Sequence, residues 1–380
     1  MFRLIAAALG ISSALLLLEV SLRWFPPVQL RIRGSRIALP INQRTVFKNT
    51  TISTVDAEIV QARNSIGFRG ADPPSDLAQS LSIVTVGGST TECYYLSDDK
   101  TWPELLRQRL EGQYRHLWLN NAGLDGHTTF GHRQLMNQYL LTLKPKCVLF
   151  LIGANDVGLD RSHLNDDKLQ KGYWAHGWGE KSYFWFVEHS ATAALFDNLR
   201  RTAQARTAGV SHQDINHAQL QWNESQTVDL SPEQTTEILD RHRQAFLPGY
   251  RNRVRALIEQ CRPAHIVPIL ITQPALFGPA KDPQTGVNLA RVAVGELNGD
   301  VQWQVLELYN AVTRDVAREL GVPLIDLART MPKDSRFYYD YYHFTNAGAV
   351  EVAHLLEPEL TLILSREFPK FVVPLTPGLR

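Results

Sequence analysis

The sequence has few cysteines and no excess of charge of either sign, and each shortage excludes a class of protein. Its 380 residues include three cysteines, Cys93, Cys147 and Cys261, which are too widely spaced for a zinc site or a disulfide framework. Apolar neighbours of Cys147 favour buried free thiols. A formal net charge of +1 gives no broad positive field, so nucleic acid is not expected as a partner. No metal and no cofactor are expected either.

Long apolar runs are also scarce, with one exception at the N-terminus. Leu4 to Val20 reads LIAAALGISSALLLLEV and follows Met1 and Arg3. Its length is at the short end of what spans a bilayer, and no Ala-x-Ala cleavage site follows it. We therefore expect residues 1–22 to be an uncleaved signal anchor that makes the membrane a partner. A buried core helix is the alternative, but the run has no polar face at which such a helix would meet solvent.

The side of the membrane that the chain faces is left open by the sequence. Arg23, Arg31, Arg33 and Arg36 follow the apolar run, and the positive-inside rule would hold them in the cytoplasm. We nevertheless expect the remainder of the chain to be extracytoplasmic and leave its orientation open.

From Leu81 onward, short apolar runs alternate with amphipathic stretches. The runs are LSIVTV, HLWLN, CVLFLI, HIVPILIT and VPLIDL, and they are typical of strands buried in a parallel sheet. One amphipathic stretch opens at Thr101 with Glu104 three residues on, as in a capping box. Another opens at Ser231 with Pro232 at the first helical position. The alternation predicts an α/β domain.

The remaining segments divide the chain further. Residues 23–80 are rich in Arg, Pro, Asn and Ser and indicate a stalk that packs on the domain surface. Residues 81–365 form the predicted domain, and residues 366–380 form a C-terminal tail. Residues 157–230 contain YWAHGWGEKSYFWFVEH and indicate a helical, aromatic-rich insertion. It either walls the ligand crevice or closes the hydrophobic edge of the sheet.

Glycines and polar residues follow three of the predicted strands. Gly87 and Gly88 permit a tight turn that exposes the Ser89 hydroxyl. The second strand leads into NNAGLDGH, residues 120–127, and the third leads into Gly-Ala-Asn-Asp, which contains Asn155. A serine nucleophile needs such donors, because each preorganised donor to the oxyanion is worth about 3 kcal/mol in the transition state. Turn residues explain each segment alone, but not three segments at one sheet edge.

A fourth segment near the C-terminus places Asp340 three residues before His343. At this separation a carboxylate can accept a hydrogen bond from Nδ1–H and leave Nε2 free as a base. A lone Asp-x-x-His is more often a solvated turn. Together with an exposed serine and candidate donors, the pair favours nucleophilic catalysis.

The four segments in chain order resemble the SGNH, or GDSL-like, hydrolase family, from about Ile66 to Leu360. GFRG at residues 67–70 also resembles membrane-anchored members. The resemblance implies a three-layer α/β/α fold with a parallel, flavodoxin-like sheet. It further implies the catalytic residues Ser89 (nucleophile), His343 (base) and Asp340 (orienter), and the oxyanion donors Ser89 N–H, Gly126 N–H and the Asn155 side chain.

The sequence departs from the family pattern in two places. Gly88 stands where the better-known form of the first motif has an aspartate, and the insertion prevents any family substrate from being carried over. We expect a serine esterase acting on an ester-bearing small molecule, a lipid or an acylated glycan. The alternatives are an O-acyltransferase acting on cell-envelope carbohydrate and a catalytically silent carbohydrate-binding protein.

Overall fold

The computed structural model describes residues 2–25, 32–34, 36–159, 178–207 and 228–374. The chain divides into two compact units. One comprises residues 1–40 and 162–215 and is called the helical unit here; the other comprises residues 41–161 and 216–380 and is called the sheet unit.

The strands are short and are numbered in chain order. They are β1 (Ile32–Arg33), β2 (Arg36–Ile37), β3 (Gln43–Lys48), β4 (Glu58–Arg63), β5 (Leu81–Gly87), β6 (Leu117–Asn121), β7 (Cys147–Leu151), β8 (Val267–Ile271), β9 (Ala293–Val294), β10 (Leu297–Asn298) and β11 (Leu324–Ile325).

The α-helices are numbered in the same way. They are α1 (Phe2–Trp24), α2 (Ser89–Glu92), α3 (Trp102–Leu110), α4 (Thr129–Leu135), α5 (Leu141–Leu143), α6 (Trp178–His189), α7 (Ala191–Thr207), α8 (Pro232–Arg241), α9 (Leu247–Cys261), α10 (Gly299–Leu320), α11 (Leu327–Thr330) and α12 (Asn346–Glu367). Single π-helical turns join α4 to α5 and α8 to α9.

The sheet unit is built on a parallel sheet with strand order β11-β8-β7-β5-β6. All five apolar runs of the sequence form its strands, so the α/β prediction is confirmed. Every residue of β5 is buried, because helices cover both sides of a parallel sheet and leave neither face to water.

Two layers of helices complete this architecture. Leu106 of α3 and Leu356 of α12 share one apolar cluster with Ile83 of β5. Buried residues of α9, such as Val254 and Leu257, lie outside that cluster, and α9 packs with α4 on the other side of the sheet. The arrangement is the expected three-layer α/β/α fold.

The predicted helix starts are correct to within three residues. Ser231 caps α8 with a complete capping box. Thr101 precedes α3 as expected, but its hydroxyl donates to Asp98 O and its side chain does not cap the helix. The last helix begins at Asn346, where the Thr345 hydroxyl accepts the Gly348 N–H at 3.0 Å and caps the helix.

The segment before the sheet is more ordered than its composition indicates. Strands β3 and β4 form an antiparallel hairpin. Beyond it, Arg69 exchanges two backbone hydrogen bonds with Asn121 at the end of edge strand β6, each 2.9 Å long. The three cysteines are buried and free, as the sequence predicts.

The helical unit contains α1, the small β1–β2 hairpin, α6 and α7. Helix α1 is long and apolar enough to cross a bilayer, although a signal sequence would meet the same criterion. Helices α6 and α7 are the described part of the aromatic-rich insertion within this unit. Residues 160–177 and 208–227 of the insertion lie outside the described residues.

Candidate active site

Ser89 is the first residue of α2, and Gly88 alone separates it from the C-terminal end of β5. The turn that carries it is tight. A Cβ on Gly87 would lie 2.2 Å from Thr91 Oγ1 and 2.6 Å from Leu151 O, so no larger residue fits there. Ser89 is 8% exposed. The fold therefore presents a nearly buried serine at the carboxyl edge of the sheet, where ligand crevices of α/β proteins lie.

Ser89, His343 and Asp340 form a hydrogen-bonded chain. Ser89 Oγ lies 2.7 Å from His343 Nε2, and His343 Nδ1 lies 2.6 Å from Asp340 Oδ2. A carboxylate can only accept, so Nδ1–H donates to Asp340 and neutral Nε2 accepts from the serine hydroxyl. The backbone N–H groups of Tyr342 and His343 both donate to Asp340 Oδ1 at 2.8 Å. The structure thus brings together all three residues that the sequence singles out.

The opposite charges of His343 and Asp340 shift the pKa of both groups. Burial by itself lowers the pKa of His343, but the Asp340 carboxylate and its hydrogen bond raise it above the ordinary 6.5, with a smaller contribution from Asp125. Burial by itself raises the pKa of Asp340, yet the charge and hydrogen bonds of His343 lower it to about 2. Asp340 is therefore ionised at neutral pH, and His343 is a stronger base than an isolated histidine.

The His343 ring is also held by an aromatic neighbour. Tyr339 is stacked on it, with ring centroids 5.5 Å apart and an interplanar angle of 11°. Tyr95 contacts the Tyr339 ring edge to face at 5.8 Å. These contacts restrict rotation of the imidazole and keep Nε2 directed at the serine.

Asn155 approaches the serine turn closely. Its Nδ2 donates to His127 O at 3.0 Å, which uses one of its two hydrogens and leaves the other for a ligand. A Cβ on Gly88 would lie 2.3 Å from this Nδ2. A side chain at position 88 would therefore require the Asn155 amide to shift from this position.

The two candidate glycines of the second segment have different surroundings. Gly123 N–H already donates to Asn121 Oδ1 at 2.8 Å, and a Cβ on Gly123 would lie 2.4 Å from Glu92 N. Gly126 has a φ of 70°, and its N–H has no hydrogen-bond acceptor among the described residues. The Ser89 N–H likewise meets none there. The geometry favours Gly126 over Gly123 as a donor.

A small cavity of about 70 Å³ opens beside Ser89. Its lining includes Asn155, Gln273, Tyr342 and His343, whereas Gly126 lies outside it. His132 also lines it. Burial lowers the pKa of His132 to about 3, and its Nδ1 has no hydrogen-bond partner in the described part of the chain. Sequence analysis missed Gln273 and His132, which belong to no local motif, and Tyr342, which lies within the Asp340–His343 motif at a position that the motif leaves unspecified.

Arg69 supports the serine turn from outside the motifs. Its buried guanidinium donates to Glu92 O and Cys93 O, at the end of α2, at 2.6 and 3.0 Å. It also donates to Leu96 O and Asp98 Oδ1, each at 2.7 Å. Arg69 therefore satisfies carbonyls that the short helix leaves unpaired and fixes its position. The GFRG stretch resembles that of membrane-anchored family members, but its sequence does not indicate that Arg69 contacts the carbonyls at the end of α2.

Asp156 joins the second and third segments. Its carboxylate accepts hydrogen bonds from the Thr129 N–H and hydroxyl at the start of α4, and it forms an ion pair with Arg253 at 3.2 Å. All three residues are buried. The contact fixes the loop that carries Gly126 against the loop that carries Asn155.

Residues 85–350 match the family model described as GDSL-like Lipase/Acylhydrolase family, a span that includes every residue of the hydrogen-bonded chain. The chain belongs to the GDSL-like lipase/acylhydrolase family. It is accordingly an ester-hydrolysing enzyme with the α/β fold of GDSL-like hydrolases.

Solved structures of GDSL-like hydrolases also resemble the chain. A lipase/acylhydrolase from Enterococcus faecalis is 16% identical, with 74% of this chain and 96% of that chain covered and a TM-score of 0.40. An acetyl xylan esterase variant from Geobacillus stearothermophilus is 14% identical, with coverage of 78% and 98% and a TM-score of 0.40. A lipolytic protein of the G-D-S-L family from Desulfitobacterium hafniense is 13% identical, with coverage of 74% and 99% and a TM-score of 0.39. Similarity at this level carries no argument about substrate. No curated protein matches the chain.

Proposed function

We propose that the protein is a serine esterase in which Ser89 is the nucleophile, His343 the general base and Asp340 the group that orients it. Ser89 Oγ attacks the ester carbonyl while its proton moves to His343 Nε2. The protonated imidazole then gives this proton to the departing alcohol oxygen as the carbonyl re-forms. Water attacks the acyl-enzyme by the same route and releases the acid. The observation that supports this proposal most is the unbroken Ser89–His343–Asp340 chain at 2.7 and 2.6 Å.

We also propose the oxyanion donors. They are the Ser89 N–H, the Asn155 amide and the Gly126 N–H. The two backbone groups are supported by their lack of acceptors among the described residues, and Asn155 is supported by its unused hydrogen beside the cavity. Gly126 has the weaker support, because it does not line the cavity.

The size of the cavity favours a substrate with a short acyl group. Its volume of about 70 Å³ is roughly five to seven times the ~10–15 Å³ that one water needs. An acetyl group fits such a space, whereas a long fatty acyl chain would extend beyond it. We therefore propose an acetyl or similarly short ester as the substrate, with an acylated glycan as one source of it.

Hydrolysis of p-nitrophenyl acetate by Ser89→Ala tests the assignment. We expect the variant to lose activity and to keep the circular dichroism spectrum of the wild type. Ser82→Ala is the matched control, since Ser82 is a buried serine on the preceding strand β5 and its Oγ accepts a backbone N–H from Lys146. Activity retained by Ser89→Ala, or lost equally by Ser82→Ala, contradicts the assignment. Following a labelled acetyl group to acetate or to a polysaccharide separates hydrolysis from acyl transfer.

Membrane attachment and domain organisation are proposed on separate grounds. We propose that α1 is an uncleaved anchor, with residues 81–365 as the extracytoplasmic enzyme domain, residues 23–80 as the segment that leads to it and residues 366–380 as a tail. The exposed apolar length of α1 supports the anchor. Protease digestion of intact and of opened cells tests the orientation, because an extracytoplasmic domain is cut once the outer barrier alone is permeable.

A further inference from the structure

Helices α6 and α7 form a helical hairpin, called the aromatic hairpin here, which exposes large apolar side chains. Trp185 is 50% exposed, Phe186 58%, Phe196 67% and Leu199 51%. A water-soluble helix normally turns such residues to a core and presents polar ones to solvent. Large apolar side chains that are exposed together mark a surface that another phase or molecule covers.

The opposite face of the hairpin is already packed. Phe184 and Val187 are buried. The β1–β2 hairpin approaches them so closely that a Cβ on Gly34 would lie 2.6 Å from Glu188 Cγ, and Arg33 donates to Val187 O at 3.3 Å. The exposed aromatic face is therefore not the face by which the hairpin folds onto its own unit.

The corner of the hairpin is tied to the C-terminal end of α1 by Glu19. Its carboxylate accepts the N–H groups of Ala191 and Thr192 at 2.7 and 3.0 Å and the Ser190 hydroxyl at 2.8 Å. A carboxylate at this place caps the start of α7 and complements its dipole. The only acidic residue of the apolar run is thus used to hold α7.

Arg23 adds a second tie one turn further along α1. It pairs with Glu19 at 2.9 Å and donates to His189 O, at the end of α6, at 2.6 Å. That carbonyl is among those that a helix end leaves without a partner. Both helices of the hairpin are consequently fastened at their shared corner to the same end of α1.

If α1 spans a bilayer, these contacts determine how deep the aromatic hairpin lies relative to that bilayer. The predominantly apolar residues 4–18 make about 22 Å of helix at ~1.5 Å per residue, which fits within the ~30 Å of the hydrocarbon core. Glu19 and Arg23 then lie at the level of the lipid headgroups, and so does the hairpin corner. Tryptophan and phenylalanine on a helix at this level insert into the boundary between headgroups and acyl chains.

We propose that the exposed face of the aromatic hairpin lies in the headgroup region of the same bilayer that α1 spans. The inference rests on the proposed anchor. It gives the insertion a role in holding the chain at the lipid surface, and it commits to lipid as the occupant of this face.

The test uses the full-length protein in phosphatidylcholine vesicles, with single cysteines carrying an environment-sensitive fluorophore. The native cysteines are buried, so Phe186→Cys and Phe196→Cys can be labelled selectively. Leu9→Cys, on the middle of α1 and 64% exposed, is the bilayer reference, and Leu362→Cys on α12, 69% exposed, is the matched apolar control. Quenching is measured with lipids that carry a nitroxide in the headgroup or in the middle of the acyl chain.

We expect the headgroup nitroxide to quench labels at 186 and 196 more than the mid-chain nitroxide, with the order reversed at 9. Labels at 186 and 196 that are quenched no more than the label at 362 overturn the inference while leaving the anchor intact. A blue-shifted but unquenched label at 186 shows that protein and not lipid covers the face, which also overturns it. An unquenched label at 9 refutes the anchor itself, and the inference with it.

Discussion

Asn155→Ala removes the side-chain donor that faces the cavity, and its effect can be derived from the two hydrogens of the amide. One hydrogen bonds His127 O at 3.0 Å in the resting enzyme and holds the loop. In the proposed mechanism, the other hydrogen bonds the carbonyl oxygen of the substrate. This hydrogen bond becomes stronger as the oxygen becomes negative in the transition state. The substitution therefore removes one structural contact and one transition-state contact.

The two contacts have different magnitudes. Losing a single oxyanion donor costs about 3 kcal/mol, which lowers kcat by about 10² to 10³. Losing the hydrogen bond to His127 O costs the fold about 1 kcal/mol. Because the acetyl carbonyl in the ground state gains little from the donor, KM changes much less than kcat.

Steady-state hydrolysis of p-nitrophenyl acetate separates the two effects when it is combined with urea unfolding. We expect kcat to fall by at least about 100-fold, as loss of one such donor requires, while the unfolding midpoint moves only slightly. A kcat within a few-fold of the wild type would refute the oxyanion assignment. A raised KM with unchanged kcat would show that Asn155 binds substrate without stabilising the transition state.

Removing charged groups near Ser89 should change catalysis and stability in ways that can be measured separately. Asp340→Asn lowers the pKa of His343, and since only neutral His343 is a base, the acid limb of the pH–rate profile moves to lower pH; kcat falls by about 10⁴, as in the serine-protease template. The folded-state pKa of Asp340, about 2, lies below its ordinary 3.8, so it stabilises the wild type above pH ~4 and this stability is lost as the pH falls toward 2. The free energy of unfolding of Asp340→Asn, measured with urea, should change less with pH in this range than that of the wild type. Arg69→Met leaves three buried carbonyls without this donor and removes the ion pair with Asp98, which should cost about 3–5 kcal/mol in urea unfolding. The pair of Arg107 and Glu104, whose side chains are 26% and 22% exposed, predicts less than about 1 kcal/mol for Arg107→Met; equal losses in the two variants would contradict the support assigned to Arg69.

The sheet could be predicted because its strands are buried on both faces. Cys147–Leu151 is an unbroken apolar run, and Leu81–Gly87 is interrupted only by Ser82 and Thr85. Such runs are typical of strands that are buried on both faces. The β3–β4 hairpin was not predicted, since most of its residues are partly exposed and its sequence lacks a regular alternation. Local pattern indicates a strand only where burial dictates the residue type.

In the candidate site, too, some contacts could be predicted from the sequence and others could not. Asp340 and His343 are three residues apart, and their contact is visible in the sequence. Arg69 contacts Leu96, and Asp156 contacts Arg253, across long stretches of chain. Such contacts depend on where the fold brings distant segments, so no spacing rule predicts them.

Labelling with a fluorophosphonate probe, followed by mass spectrometry of the peptides, tests the central claim most directly. An activated serine attacks phosphorus and leaves a stable adduct, whereas an ordinary buried serine does not react. The account predicts a single adduct on the peptide containing Ser89, and its loss in both Ser89→Ala and His343→Ala. An adduct on another serine, or no adduct on folded protein that still hydrolyses p-nitrophenyl acetate, would contradict it.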